Sequence, residues 1–500
     1  MKYLILVCYV WFIGRFKAFL MLSNLAHKLL YVKGFDRLRN FNAKAKGYIE
    51  FIKAKRTVPA YQAFLKANDF INPSFSGLTP NLHELPITDK ENYIKIYQLD
   101  QRCVNGSMVD KGVIIDESSG SSGMANNWAR GKKERDTNAA MIKFGMQNLF
   151  GKDPVFIINA FALGAWATGV NITMSCVKFA KIKSTGPDQN KIENTIRYFG
   201  NKHKYIIMGY PPFLKSLVDE SQINWNELDV SFIFGGESMA EEMRDYLISR
   251  GIKKIYSSLG ASDLELNMAA ENDFTINLRR LLRTNSMLRL EILKYTGALP
   301  MIFQYNPTDF LIEVNEIGEL IFTVCRAGYV APKIRYNLHD KGHILQMQQL
   351  QAIIKRLNIA KSDLIAPLTD LPLLFHYGRA DMTIAFFGAN ISPNDIQETI
   401  YKFSELVGAI YSFCLSINED NEGNKRLIIA LEMQKFKDVK LINMQNLHQA
   451  FFEELANVNQ DFREAKKMLS NAKQIDIIIY TFGNGPFKNA DVRIKAKYLA

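Results

Sequence analysis

Cysteine is sparse in this chain of 500 residues and 57.1 kDa. Cys8, Cys103, Cys176, Cys325 and Cys414 are odd in number, far apart and never in a C-x-x-C spacing, which excludes a disulfide scaffold. They read as small buried hydrophobes in a reducing, cytoplasmic compartment. Long apolar runs are missing too. Tyr3–Ile13 stops after eleven residues at Gly14-Arg15, and Ala18–Leu22 is shorter still. Spanning a bilayer takes roughly 18–20. Internal repeats and low-complexity tracts are absent, and 48% apolar with 22% charged residues excludes wholesale disorder and fibrous architecture.

Acidic residues are the minority charge. Sixty-two Lys and Arg against 50 Asp and Glu leave +12, a balance that favours phosphate-bearing small molecules, nucleic acid or a membrane face. Residues 28–66 carry ten of the basic residues against Asp36 and Glu50 alone. Nucleic-acid binding would call for aromatic interleaving, a recognised module or a repeat, and none is found. This stretch reads instead as a helix with Tyr48, Ile49, Phe51 and Ile52 turned inward. The apolar start has three readings: a helix packed on the protein's own core, an interfacial anchor with Arg15, Lys17 and Lys28 facing lipid phosphates, or an early start codon or weak signal.

Length alone asks for two or more domains. Residues 20–70 read as helical with a break at Pro59. From about 113, short apolar runs (Val113–Ile115, Val155–Asn159, Tyr205–Met208, Val230–Phe234, Lys254–Tyr256) alternate with helix-length segments at 135–149, 188–200, 211–221 and 239–250. This alternation predicts an α/β fold with a large body of mixed and parallel sheets. Paired strands follow at 310–314, 318–324 and up to 344, then a helical insert at 345–370. A smaller α+β unit begins near 383. The expected division is a basic helical extension over 1–57, a body over 58–378 and a small lid over 379–500.

The most informative stretch is Asp116-Glu117-Ser118-Ser119-Gly120-Ser121-Ser122-Gly123, read as following a strand and preceding an amphipathic helix. Glycines let backbone N–H groups close around an oxyanion, and hydroxyls add donors, which suits a nucleotide triphosphate. It is neither a Walker loop, lacking the lysine, nor a GxSxG elbow. After it come Phe234-Gly235-Gly236-Glu237-Ser238, then Ser257-Ser258-Leu259-Gly260-Ala261-Ser262-Asp263. Gly318-Glu319-Leu320 through Thr323, Pro332-Lys333-Ile334-Arg335-Tyr336 with Asp340, Gly378-Arg379-Ala380-Asp381 and Gly388–Pro393 complete the series.

In this order the series resembles the adenylate-forming superfamily of acyl- and aryl-CoA ligases, and its phenylacetate–CoA ligase branch most closely, from about Val58 to the end. The resemblance implies an AMP-forming acid–thiol ligase that uses ATP, Mg²⁺ and coenzyme A on a small aryl or fatty carboxylic acid. It implies that Ser118, Ser119, Gly120, Ser121, Ser122 and Gly123 hold the β- and γ-phosphates. Gly235, Gly236 and Glu237 would line the adenine side, with Gly260 in the following motif. Ser262 would donate to the α-phosphate, Asp263 would ligate Mg²⁺, and Asp340 would accept from the ribose hydroxyls. Arg379 would contact ribose and phosphates at a hinge whose pivot is Asp381. Lys495, chosen over Lys488 and Lys497, would supply the mobile cation near the α-phosphate. The alternatives are an amine or carrier-protein acceptor, or a nucleotide-binding homologue without ligase activity.

Several positions depart from the family pattern. Met124-Ala125-Asn126 stands in place of a lysine after the phosphate loop. Leu259 replaces a tyrosine that would stack on adenine, Asp263 replaces the usual glutamate, and Gln397 stands where glutamate is frequent. Phe161–Gly169 reads either as acyl-pocket lining or as core. Arg130 reads either as a cation near the phosphates or as a surface ion pair. His339 and His343 are four apart, but Gly342 and the strand texture argue against a metal pair.

Overall fold

The computed structural model describes residues 1–21, 34–118, 126–164, 167–294, 299–367, 369–379, 384–386, 389–419, 425–435, 437, 444–459, 462–463, 466, 475–488 and 498. Its centre is an eleven-stranded mixed sheet. Five strands run parallel side by side: Lys181–Ser184, Val155–Asn159, Lys204–Gly209, Asp229–Phe234 and Ile255–Leu259. Their cores are unbroken apolar runs such as Tyr205-Ile206-Ile207-Met208, nearly fully buried, because helices cover both faces. The sheet continues antiparallel through Ala269–Ala270, Met301–Tyr305, Leu373–Arg379, Tyr336–Leu345, Glu319–Val324 and Phe310–Val314. The chain is thus α/β, as expected.

Covering helices start where the sequence marks them. Asp188 caps Gln189–Phe199 by accepting from Lys191 N at 3.0 Å, and Pro211-Pro212 opens the next helix, Pro211–Glu220. The insert at 345–370 is shorter than expected. Only Met347–Arg356 is α-helical, since its apolar stripe ends at Leu357 and Asn358 takes a positive φ of 51° that stops the helix.

One expectation is corrected at the serine–glycine loop. It precedes a strand, not a helix: Ile114–Ser118 pairs antiparallel with Asn126–Arg130, register Asp116 to Trp128. The period-two alternation around buried Trp128 explains the strand, and the helix Lys132–Phe150 begins only after Gly131. Residues 119–125 lie outside the described set.

The helix Asp36–Thr57 turns Tyr48, Phe51 and Ile52 inward, with Ile49 half-buried. Gly47 packs closely enough that a Cβ there would stand 2.8 Å from Leu82 Cδ1. The helix Lys2–Met21 lies against it, Tyr9 on Phe41 and Tyr3 on Tyr48 with ring centroids 5.0 and 6.5 Å apart. Among the described residues no helix is long and apolar enough to cross a membrane.

Residues between 384 and 498 build their own apolar cluster around Phe451, Leu415, Leu431 and Ile396. A three-stranded sheet, Ile410–Glu419, Lys425–Met433 and Ile475–Tyr480, backs onto the helices Pro393–Ile400 and Met444–Val458. This unit meets the body along two helices. Gln397 Oε1 accepts from Ala240 N at 2.9 Å, and Gln434 Nε2 donates to Asp219 Oδ2 at 2.7 Å. Gln397 therefore works as a joint.

Glu398 on the same helix is buried, and burial with the neighbouring Glu242 pushes its carboxyl up to about 7. A carboxyl raised on folding binds its proton more tightly folded than unfolded. Stability therefore falls as pH rises from the ordinary carboxylate range through about 7. Glu398→Gln is expected to raise the unfolding temperature more at pH 8 than at pH 5. Equal gains at both pH values, read by thermal melts, would contradict this.

Candidate active site

A cavity of about 530 Å³ opens at the carboxyl ends of the parallel strands, where open α/β sheets bind ligands. Its floor is built from two strand exits. Asp229–Phe234 runs into Gly235, Gly236, Glu237 and Ser238, and Ile255–Leu259 runs into Gly260, Ala261, Ser262 and Asp263. Both glycines of the first exit are required by contact. A Cβ at Gly235 would stand 2.9 Å from the Ser258 carbonyl oxygen. At Gly236, with φ +81°, it would stand 2.6 Å from Tyr210 Cε1.

Asp340 enters from the long strand Tyr336–Leu345, its Oδ2 3.0 Å from His376 Nε2. On the adjoining strand the backbone of Arg379 pairs with Asp340, while the Arg379 side chain lies outside the described set. Asp263 Oδ2 accepts from the Tyr336 hydroxyl at 3.0 Å. Burial and that carboxylate hold the Tyr336 phenol well above its ordinary range, so it stays a donor. No hydrogen bond among the described residues reaches the second Asp263 oxygen. Among the described residues no three His, Cys, Asp or Glu side chains gather as a metal cage.

The smaller unit closes the opposite wall through Ser392, Pro393, Asn394, Gln397, Phe413 and Tyr498. Tyr498 donates its hydroxyl to Glu237 Oε2 at 2.8 Å, and its backbone oxygen accepts from Leu415 N at 2.7 Å. Its ring lies 4.7 Å from that of Phe413. Both side-chain amide atoms of Asn394 are buried without a hydrogen-bond partner, an arrangement suited to bonding a polar ligand.

The cavity lining mixes two kinds of side chain. Ser262, Asp263, Asp340, His376 and Glu237 are polar, whereas Phe161, Ile172, Met208, Ile233, Met301 and Phe303 are apolar. Phe161 does double duty: it lines the cavity and packs edge-on against Tyr210 at 5.0 Å.

Of the residues singled out from sequence, the structure brings together Gly235, Gly236, Glu237, Gly260, Ser262, Asp263 and Asp340. Ser118 ends a hairpin strand, its side chain outside the described set. Ser119, Gly120, Ser121, Ser122, Gly123, Asp381 and Lys495 lie outside it altogether. Arg130 is not a surface ion pair; buried, it donates to the carbonyls of Ser262 and Leu264 beside the cavity. It is a buried strut, 2.7 Å from Asp116 Oδ2 and 3.5 Å from Glu265 Oε1, with Asn171 also on Asp116 at 3.0 Å. His343 is buried and stacked on Phe375 at 4.4 Å, and burial lowers its imidazole to about 4.

Sequence reading missed Tyr336, His376, Asn394 and Tyr498, although Tyr336 closes the quoted Pro332–Tyr336 motif and Asn394 follows Ser392-Pro393. It also missed Lys333 as a charge. Burial and the nearby Arg102 and Arg130 lower this amine to about 7, and it sits 4.0 Å over the Trp128 ring.

No protein-family model and no curated protein matches the sequence. Solved structures do. The chain resembles 2-hydroxyisobutyryl-CoA ligase in the postadenylation state in complex with R3-HIB-AMP, with TM-score 0.61 and 14% identity over 92% of this chain and 89% of that one. The same enzyme with 2-HIB-AMP and CoA in its thioesterification state matches at TM-score 0.55 and 12% identity, covering 94% and 91%. Its open conformation with the same two ligands gives 0.53 and 13%, covering 92% and 91%. The fold is therefore that of the adenylate-forming acyl-CoA ligases.

Proposed function

We propose that this protein activates a carboxylic acid with ATP as an acyl-adenylate and passes the acyl group to a thiol, coenzyme A. The observation that carries the reading is the convergence on one cavity of Gly235–Glu237, Gly260–Asp263 and Asp340 with residues of the smaller unit, in this fold. A carboxylate oxygen attacks the α-phosphorus, the bond to the β-phosphate oxygen breaks, and pyrophosphate leaves. The thiol sulfur then attacks the acyl carbon, the mixed-anhydride C–O bond to the AMP phosphate breaks, AMP leaves and the thiol proton passes to solvent. Such chemistry asks mainly for positioning and charge.

Asp340, backed by His376, would orient the ribose. Ser262 would donate to the α-phosphate, and Gly235–Glu237 would line the adenine. Asp263 would hold Mg²⁺, which supplies charge neutralisation at the phosphates when bound. The apolar part of the lining suits an aryl or fatty acyl group, and 530 Å³ lies within the range of small-ligand sites.

Tyr498 deepens this reading. Leu259 removes the family's aromatic at one wall of the nucleotide site, and Tyr498 presents a ring to the same cavity, held there by Glu237. An aromatic contact is worth about 1 kcal/mol beyond area burial, or roughly fivefold to tenfold in affinity. Tyr498→Ala is expected to weaken AMP binding by about tenfold, and Tyr498→Phe by much less. Calorimetric titration reads both, and unchanged AMP affinity in Tyr498→Ala would remove the residue from the site.

The reading as a whole is tested by acid-dependent pyrophosphate release from ATP across aryl and long-chain acids. Release with no acid of the panel would overturn it. Adding coenzyme A or amines to the adenylate then separates a CoA ligase from an enzyme with an amine acceptor.

A further inference from the structure

We propose that the helix Lys2–Met21, with the start of the helix Asp36–Thr57, is a docking face for an anionic membrane surface. The first helix is apolar nearly all round, yet only one side is used by the protein. Tyr3, Leu6, Val7, Val10 and Ile13 face inward or are half-covered, with Leu6 fully buried. Leu4, Ile5, Cys8, Trp11, Phe12 and Phe16 form the opposite stripe at helical spacing. Leu4 is 65% exposed, Trp11 61%, Phe12 64% and Phe16 52%. Single exposed hydrophobes are ordinary, but a continuous stripe of this size is the mark of an interaction surface.

Further exposed apolar residues lie at the start of the second helix. Tyr3 meets Tyr48 and Tyr9 meets Phe41, so the two helices run antiparallel, and the far end of the first comes alongside the start of the second. There Phe35 and Leu38 are exposed as well. The patch thus spans two rigidly packed helices.

Charge selects the occupant. The first 35 residues contain no Asp or Glu, against Lys2, Arg15, Lys17, Lys28 and Lys33. Arg15 is exposed and lies 5.5 Å over the Trp11 ring, and Arg37 is exposed between Phe35 and Leu38. Aromatic and aliphatic side chains interleaved with exposed cations, their one carboxylate, Asp36, held by Arg39 at 2.6 Å and Gln348 at 3.0 Å, match the acyl–headgroup boundary of an anionic bilayer. With too little apolar length to cross, the helix would lie in the interface plane.

The test is flotation of the full-length protein with phosphatidylcholine vesicles, with or without about 30 mol% phosphatidylglycerol. Binding is expected only with the anionic lipid and is expected to fall when salt is raised to screen the headgroups. The double variant Trp11→Ser, Phe12→Ser alters exposed positions and should melt like the parent, while binding vesicles about tenfold less. Arg15→Gln, Arg37→Gln should reduce the dependence on phosphatidylglycerol and keep the melt unchanged. The proposal is overturned if the parent ignores anionic vesicles, or if the serine variant binds as well as the parent. It is also overturned if that variant turns a lipid-free dimer into a monomer, which would assign the face to a second copy of the chain. None of these outcomes bears on acid activation, which is read by pyrophosphate release.

Discussion

Asp340→Ala is expected to reduce acid-dependent pyrophosphate release by about a hundredfold to ten-thousandfold, through lost nucleotide binding. Two ribose hydroxyls donating to one carboxylate make two charge-assisted hydrogen bonds, each worth roughly 1.5–3 kcal/mol, and each 1.4 kcal/mol is a factor of ten. The carboxylate lies on a long interior strand of the sheet, is half-buried and is steadied by His376 at 3.0 Å, so alanine there leaves the fold intact. Asp340→Asn should retain part of the binding, because one oxygen still accepts. On the reading that Lys495 supplies the cation at the α-phosphate, Lys495→Ala is expected to fail differently, with AMP affinity kept and the rate of adenylation lost, because such a cation acts only on the charge that develops there. Titration with AMP beside single-turnover adenylation separates the two. Normal nucleotide affinity in Asp340→Ala, or a normal adenylation rate in Lys495→Ala, would refute the corresponding assignment.

Arg244→Met is expected to destabilise the body by about 3–5 kcal/mol, the cost of leaving buried carboxylates without their cation. Arg244 is 1% exposed. Its guanidinium bonds both oxygens of Glu271 at 3.0 Å and reaches Glu241 at 3.1 Å, and it also donates to the Ile255 carbonyl. Arg279 joins through Glu241 at 2.8 Å and the Met239 carbonyl at 2.7 Å, while Glu271 accepts from Ser257 N at 2.7 Å. The network ties the helix Glu241–Ser249 to the strand Ile255–Leu259, the two elements that flank the Gly235–Ser238 exit. The arginines hold Glu241 down at about 2 against the opposing effect of its burial. A carboxylate depressed in this way stabilises the fold above the ordinary carboxylate range and loses that contribution as pH falls toward about 2. In Arg244→Met the acid limb of stability should therefore begin at higher pH. Denaturant unfolding at pH 7 and pH 4 checks both statements; a loss below about 1 kcal/mol would show that the remaining arginines suffice.

The parallel strands were readable because a strand buried on both faces must be apolar without interruption, as in Tyr205–Met208 and Val230–Phe234. The strand exits were readable because close backbone approach admits only glycine, and Gly235 and Gly236 each face an atom under 3 Å from a Cβ. The serine–glycine loop was placed correctly after a strand and wrongly before a helix. Five residues, Asn126–Arg130, carry too short an alternation to distinguish a strand from the start of the following helix. Arg130 could be read as a surface ion pair because its partners stand 14 and 135 positions away in Asp116 and Glu265.

The sequence by itself determined the alternation of strands and helices, the glycine-bearing exits and the linear order of Glu237, Asp263 and Asp340, all of which are local or periodic properties of the chain. Tertiary structure alone decided what meets at the cavity. Tyr336 reaches Asp263 from 73 residues away, Tyr498 reaches Glu237 from 261, and Arg244 finds Glu271 from 27. It also decided which side of an all-apolar first helix is covered and which is bare. Composition marks a residue as able to donate, accept or pack; only closure of the chain in space sets the partner, because a hydrogen bond is fixed by distances within about 3 Å and not by separation along the sequence.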